Sequence, residues 1–107
     1  MQNILTIDVE DWYQTHDFNI DVNKWNDYED RIVYSTRTLL ELLSKHNIHA
    51  TFFILGCIAQ KHPGLVKEIA RTGHEIGSHG GWHRMIDTYS KEEFRTDLLY
   101  SKNILED

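Results

Sequence analysis

The stretch Gly73-His74-Glu75-Ile76-Gly77-Ser78-His79-Gly80-Gly81-Trp82-His83 joins a turn signal, a short β-prone run and two histidines four residues apart. Gly73 can take the left-handed conformation that closes a helix, and residues 75–78 read as a short strand running straight into His79. Upstream, Pro63 stands where a first-turn proline belongs, while Leu65, Val66, Ile69 and Ala70 share one helical face, so a helix precedes that strand. Before it, Ala50-Thr51-Phe52-Phe53-Ile54-Leu55 is a continuous apolar run, as expected of a strand covered on both faces. Downstream, Ser90 and Glu93 form a capping box for a last helix bearing Phe94, Leu98 and Ile104.

The N-terminal part extends the same alternation. The run 4–7 is β-prone and ends in Asp8-Val9-Glu10-Asp11, which predicts a buried strand delivering acids at its C-terminal end. Asp30 is placed to cap a helix over 31–46, on which Ile32, Thr36, Leu39, Leu40 and Leu43 recur at helical spacing, with Asn47 as its stop. Between them, Trp12, Tyr13, Phe18, Trp25 and Tyr28 are spaced too irregularly for a helix or a strand. Residues 12–30 therefore read as a long loop packed by its own side chains. The resulting order, β-α-β-α-β-α, implies an α/β fold with parallel strands, in an open sheet or a barrel, and functional groups at the strand C-termini.

Composition bounds the possibilities. The chain has 107 residues, 40% of them hydrophobic and 26% charged, with six glycines and one proline. That is a folding chain of one domain, 1–107, short for a complete barrel enzyme. A net charge of -6, spread along the chain, argues against nucleic acid or an anionic membrane surface as partner. Cys57 is the only cysteine, which excludes an internal disulfide and reads as a small core residue rather than a nucleophile. No leader or spanning segment is visible, so the chain reads as cytoplasmic.

Two segments place metal-competent side chains just after strands of one parallel sheet: Asp8-Val9-Glu10-Asp11, and His79 with His83. Two imidazoles presented on one face by a helix-like turn, joined by one carboxylate, form a facial set with open positions for water and substrate. Gly80 and Gly81 would clear side chains from beside such a metal. Either segment alone is weak, since paired histidines and strand-end acids are common. Their joint placement is what favours a metal site.

The same residues carry a family resemblance. Thr6-Ile7-Asp8-Val9-Glu10-Asp11-Trp12 resembles the first motif of polysaccharide deacetylases of the NodB-homology type, usually Thr-Phe-Asp-Asp-Gly. Residues 50–56 resemble the family's second strand, and residues 73–83 its His-x-x-x-His motif with the customary lead-in. The resemblance implies a partial (β/α) barrel of the NodB type and a hydrolase acting on carbon-nitrogen, non-peptide bonds, which removes N-acetyl or O-acetyl groups from a sugar or polysaccharide. Carried over by position, Asp8 corresponds to the catalytic base and His79 and His83 to the metal-binding histidines. The acidic ligand stays open between Glu10, by strand alternation, and Asp11, by residue type. A divalent metal is implied, with zinc best suited to the set and cobalt, nickel or iron also compatible.

Trp12 and Trp82 flank this site and are candidates to stack on a sugar ring. His74 is a candidate support for the metal loop; His16, His46, His49 and His62 read as surface or capping groups. Gly80 stands where the family commonly has Ser or Thr. Its later motifs, including the histidine that serves as general acid, have no counterpart before Asp107, so the chain reads as an N-terminal portion with an open half-barrel, expected to self-associate as a homo-oligomer or to be marginally stable. The alternative is a catalytically inactive metal- or carbohydrate-binding module with the same fold.

Overall fold

The computed structural model describes residues 1–107. Three parallel strands, β1 (Thr6–Val9), β2 (Thr51–Ile54) and β3 (Glu75–Ser78), form one sheet in the order β1-β2-β3. Helix α1 (Ile32–Lys45) connects β1 to β2, α2 (Gly56–Lys61) and α3 (Pro63–Arg71) connect β2 to β3, and α4 (Lys91–Glu106) follows β3. The parallel α/β alternation read from the sequence is the fold observed.

β2 lies in the middle because it is the one strand able to bury both edges and most of both faces. Phe52 and Ile54 are wholly buried, and with Val9 they meet Ile32, Leu40 and Leu43 of α1 and Leu65, Val66 and Ile69 of α3 in one core. Each such side chain contributes about 1.5–3 kcal/mol by leaving water. Thr36 shares the buried stripe of α1, whereas Leu39 is 37% exposed, since one residue from Leu40 is about 100° around the helix. Gly77 has a packing reason: a Cβ there would lie 2.6 Å from the ring of Phe53 on β2.

Several local expectations shift. β1 begins two residues later than the apolar run suggests, leaving Ile4 and Leu5 exposed and Asp8 inside the strand. The register with β2, which pairs Thr6 with Thr51 and Val9 with Ile54, sets that boundary, and β propensity alone cannot report it. The strand is also not buried throughout; only Val9 of its four residues is. Residues 56–61, unassigned from the sequence, form the separate short helix α2. Segment 12–30 is indeed packed by its own aromatics, with Trp12 edge-on to Tyr13, Phe18 and Tyr28, but it is built from three 3-10 turns at Trp12–Gln14, His16–Phe18 and Val22–Asp27.

Asp30 does not cap α1. Its carboxylate accepts the Tyr13 hydroxyl and lies 2.7 Å from Lys61 Nζ and 3.1 Å from His62 Nε2, tying the 12–30 segment to the α2–α3 junction. The α1 cap is supplied from the end of β1: Asp11 Oδ2 accepts the backbone N–H groups of Arg31 and Ile32 at 2.9 and 3.1 Å. Asn47 has the left-handed φ of 55° expected of a helix stop, and Gly73 one of 85°. Both outer strands carry an unpaired edge, and Phe94, Leu98 and Leu99 of α4 are exposed. No helix is long and apolar enough to cross a membrane.

His74 sits at the N-terminal end of β3, opposite the end that carries His79, so it does not support the metal loop. Its Nδ1 accepts the Ala50 N–H at 3.1 Å, which steadies the entry to β2. Burial, together with neighbouring His49, holds its pKa below the ordinary histidine value. The folded protein therefore binds this proton less readily than the unfolded chain does. The contribution is complete above the unfolded value near pH 6.5 and declines as pH falls through the lower folded value. Urea midpoints of the wild type should drop as pH is lowered from 7 to 5, and His74→Gln, which keeps an acceptor but cannot titrate, should lose less over the same range. Equal losses would remove His74 as the source.

Candidate metal centre

The site is built at the C-terminal ends of β1 and β3, brought to the same edge of the sheet by their common partner β2. Alternation along β1 turns Asp8 and Glu10 to one face and sends Val9 into the core. His79 directly follows β3, and its backbone N–H donates to the Ile54 carbonyl, extending the β2–β3 ladder by one step. From there residues 79–83 form an irregular turn rather than the helix-like one expected. Gly80 has φ 81° and His83 φ 54°, a left-handed backbone that costs a non-glycine residue of order 1 kcal/mol or more.

That turn is held by its neighbours. The first N–H groups of α2, on Gly56 and Cys57, donate to the Gly80 and Gly81 carbonyls at 2.8 and 3.0 Å, and Gly81 N–H donates to Asp97 on α4. A Cβ on Gly81 would lie 2.6 Å from the Asp97 carboxylate, so this glycine serves close packing against α4 rather than space beside a metal. Gly80 N–H donates to Ser78 Oγ, a hydroxyl two residues upstream that steadies the turn although position 80 has none.

Three donor atoms converge. Glu10 Oε2 lies 2.9 Å from His83 Nε2 and 3.9 Å from His79 Nε2, and one ligand atom from each of Glu10, His79 and His83 falls within 4.8 Å of the others. In a tetrahedral zinc site with ligand distances of about 2.0–2.1 Å, donors stand about 3.3 Å apart, and the observed spacings bracket that value. His83 Nδ1 lies 2.8 Å from the Gln14 carbonyl, which can only accept, so Nδ1 carries a proton and Nε2 faces the carboxylate. Glu10 Oε2 and His79 Nε2 are buried with no hydrogen-bond partner. Facing lone pairs on buried atoms are costly unless a cation or proton lies between them, so the residues present fit a divalent metal.

The two acids left open by the sequence part company here. Glu10 faces the histidines. Asp11 is 3% exposed, and its carboxylate accepts the N–H groups of Trp12, Arg31 and Ile32, which leaves it turned away from them. Asp8 Oδ2 stands 3.9 Å from His79 Nε2 with its side chain 53% exposed, beside the three donors and open to solvent.

Of the aromatic candidates, Trp82 stacks on Tyr100, packs near Trp25 and lines a cavity of about 970 Å³ that His83 and His16 also line. Trp12 lies within the aromatic cluster of the 12–30 segment, its indole N–H donating to the Glu29 carbonyl. A second cavity of about 770 Å³ opens on both His79 and His83. Cys57 is no nucleophile candidate: burial pushes its thiol up to about 11.

Two contributors escaped the sequence reading. His16 stacks on the His83 ring with centroids 4.6 Å apart, and nothing in its sequence context marks it. Gln14 supplies the carbonyl on His83, and its spacing from Asp11 is that of a capping box, a signal legible in principle.

Comparisons with known proteins give the family of the chain. The chain belongs to the polysaccharide deacetylase family, whose model matches residues 24–107. A peptidoglycan-N-acetylglucosamine deacetylase of Bacillus cereus is 40% identical over 70 residues, 65% of this chain and 26% of that protein. Among solved structures, a putative polysaccharide deacetylase from Mycobacterium smegmatis superposes with a TM-score of 0.76 at 26% identity, covering 96% of this chain and 37% of that one. A CE4 family pseudoenzyme from Bacillus anthracis gives 0.72 at 26% identity, covering 96% and 30%. The chain thus spans about a quarter to two fifths of the length of these relatives. Deacetylases of this family are hydrolases that act on acetylated carbohydrates.

The different duties of the adjacent acids can be separated in metal-free protein. Asp11→Ala orphans three backbone N–H groups and should cost about 2–3 kcal/mol in urea denaturation. Glu10→Gln should leave stability unchanged or raise it, because it removes a negative charge that faces imidazole lone pairs. A loss for Glu10→Gln as large as that for Asp11→Ala would mark Glu10 as a structural residue.

Proposed function

We propose that the chain carries the metal-binding and base-bearing part of a sugar deacetylase site, which hydrolyses an N-acetyl group, or less often an O-acetyl group, on a polysaccharide. The observation that supports this reading most is the convergence of Glu10, His79 and His83, with two buried donor atoms that have no other partner. In the proposal these three residues hold one divalent cation, zinc for preference. Asp11 is left to its backbone N–H groups.

When bound, such a cation supplies Lewis-acid polarisation of the acetyl carbonyl and makes water acidic enough to be deprotonated near neutral pH. Asp8 is the group free to act as general base, since its carboxylate is exposed beside His79 and takes part in no cap or ladder. It takes the proton of the attacking water as the tetrahedral centre forms, and holds it close to where the departing amine needs one. Glu10, with its negative charge, and His79 and His83, with imidazole donors, would hold that cation, whose charge would then be available to a developing oxyanion. The substrate class is an N-acetylated glycan such as the peptidoglycan named for the Bacillus cereus relative. Trp82, at the cavity shared with His83, is the better placed of the two tryptophans to meet a sugar.

A second reading, a silent metal- or carbohydrate-binding module, draws support from the likeness to a pseudoenzyme of the same fold. Zinc titration followed by acetate release from N-acetylated chitooligosaccharide and from peptidoglycan separates the two. About one zinc per chain is expected, abolished in folded His79→Ala and His83→Ala. Asp8→Asn should keep the zinc and lower acetate release by about 10²–10⁴-fold. Zinc binding without acetate release from the wild type selects the silent module, and absence of zinc binding overturns the metal reading altogether.

A further inference from the structure

Gln14 is 5% exposed, and each of its polar groups has a partner. Its side-chain Oε1 accepts the Asp11 backbone N–H at 2.6 Å, its Nε2 donates to Cys57 Sγ at 3.5 Å, and its carbonyl meets His83 Nδ1 at 2.8 Å. Its own N–H donates back to the Asp11 carbonyl at 3.0 Å, closing a reciprocal box. The far side of that box is equally fixed, because the Asp11 carboxylate accepts three N–H groups, one from Trp12 in the same turn and two from Arg31 and Ile32 at the start of α1.

The backbone does little to orient His83. Its left-handed backbone lies outside any helix or strand, so the ring is held by its own contacts: the Gln14 carbonyl at Nδ1, Glu10 at Nε2, the stack with His16 and the tilted His79 ring 5.0 Å away. Two acceptors flank this imidazole: the Gln14 carbonyl at Nδ1 and Glu10 Oε2, 2.9 Å from Nε2. A carboxylate is the stronger acceptor. If the carbonyl were loosely held, a single ring proton would settle on Nε2, pointing at Glu10, and Nε2 would no longer be free to donate its lone pair.

We propose that Gln14 is the positioning residue for His83: its side chain, locked onto Asp11, holds its carbonyl where it keeps a proton on Nδ1 and frees Nε2 to act beside Glu10 and His79. The purpose of this arrangement rests on the metal reading above; the Nδ1 proton is a property of the protein alone. Outer contacts of this kind fix the donor atom of a metal-binding histidine, and their loss lowers affinity by about 10–100-fold.

Gln14→Met keeps the volume and removes the bond to Asp11; Gln14→Asn, one methylene shorter, replaces it should Gln14→Met not fold. Cys57→Ala removes only the other side-chain contact of Gln14 and serves as control. Two measurements follow: zinc affinity by competition with a chelator, and the His83 ring N–H by nitrogen-15 NMR, with and without zinc. Expected is a fall in zinc affinity of about ten-fold or more for the Gln14 variants, with loss of the exchange-protected Nδ1 proton and with Cys57→Ala matching the wild type. A purely structural Gln14 would lower the melting temperature and move neither readout. Affinity within about two-fold of wild type, or an Nδ1 proton unchanged in the variants or missing from the wild type, overturns the proposal. If the wild type binds no zinc, the metal reading falls, and the Nδ1 proton in the zinc-free protein still decides the role of Gln14.

Discussion

A carboxylate buried at the end of the first strand ties the molecule together. Asp11, 3% exposed, gives its two oxygens to three backbone N–H groups: one opens the 3-10 turn after β1, and two open α1, twenty residues further on. A charge in that position would be prohibitively costly without these partners. With them it fixes where the chain leaves the sheet, how the aromatic 12–30 segment folds back, and the start of the helix that covers one side of the core. Through the box it forms with Gln14, it also carries its influence to His83, which lies 72 residues along the chain.

The second constraint is the sheet register. Asp8, Phe53 and Gly77 are neighbours across the three strands, and only a residue without a Cβ at position 77 lets the Phe53 ring lie where it does. Parallel strands with these pairings end level. Glu10 and His79, each just past a strand end, therefore meet although they are far apart in sequence, and His83 reaches the same point through a strained turn clamped by α2 and α4. The cost of that strain and of three facing donor atoms makes structural sense as preparation for a positive charge.

Membership of the polysaccharide deacetylase family and likeness to both a peptidoglycan-N-acetylglucosamine deacetylase and a pseudoenzyme are compatible with one scaffold. The proposed metal grip and base are both drawn from the β1 and β3 ends. Turnover needs further groups placed around the same substrate atoms, and one fold can be kept with or without them. Both functional readings thus share one centre and differ in what surrounds it.

The amino-acid sequence by itself determined the alternation of strands and helices, the capping box at Ser90, the stops at Asn47 and Gly73, and the pairing of strand-end acids with His79 and His83. Each is written in local periodicity or in the chemistry of one or two neighbouring residues. Tertiary structure alone decided the rest. It moved β1 two residues along because register with β2 outweighs local apolarity, and it gave the α1 cap to Asp11 rather than Asp30 because the nearer acid is drawn to Tyr13, Lys61 and His62. It also turned Glu10 toward the histidines and Asp11 away from them. Two adjacent acids look interchangeable in a sequence; on the end of a strand they point to opposite sides, and only the packing says which side holds the histidines.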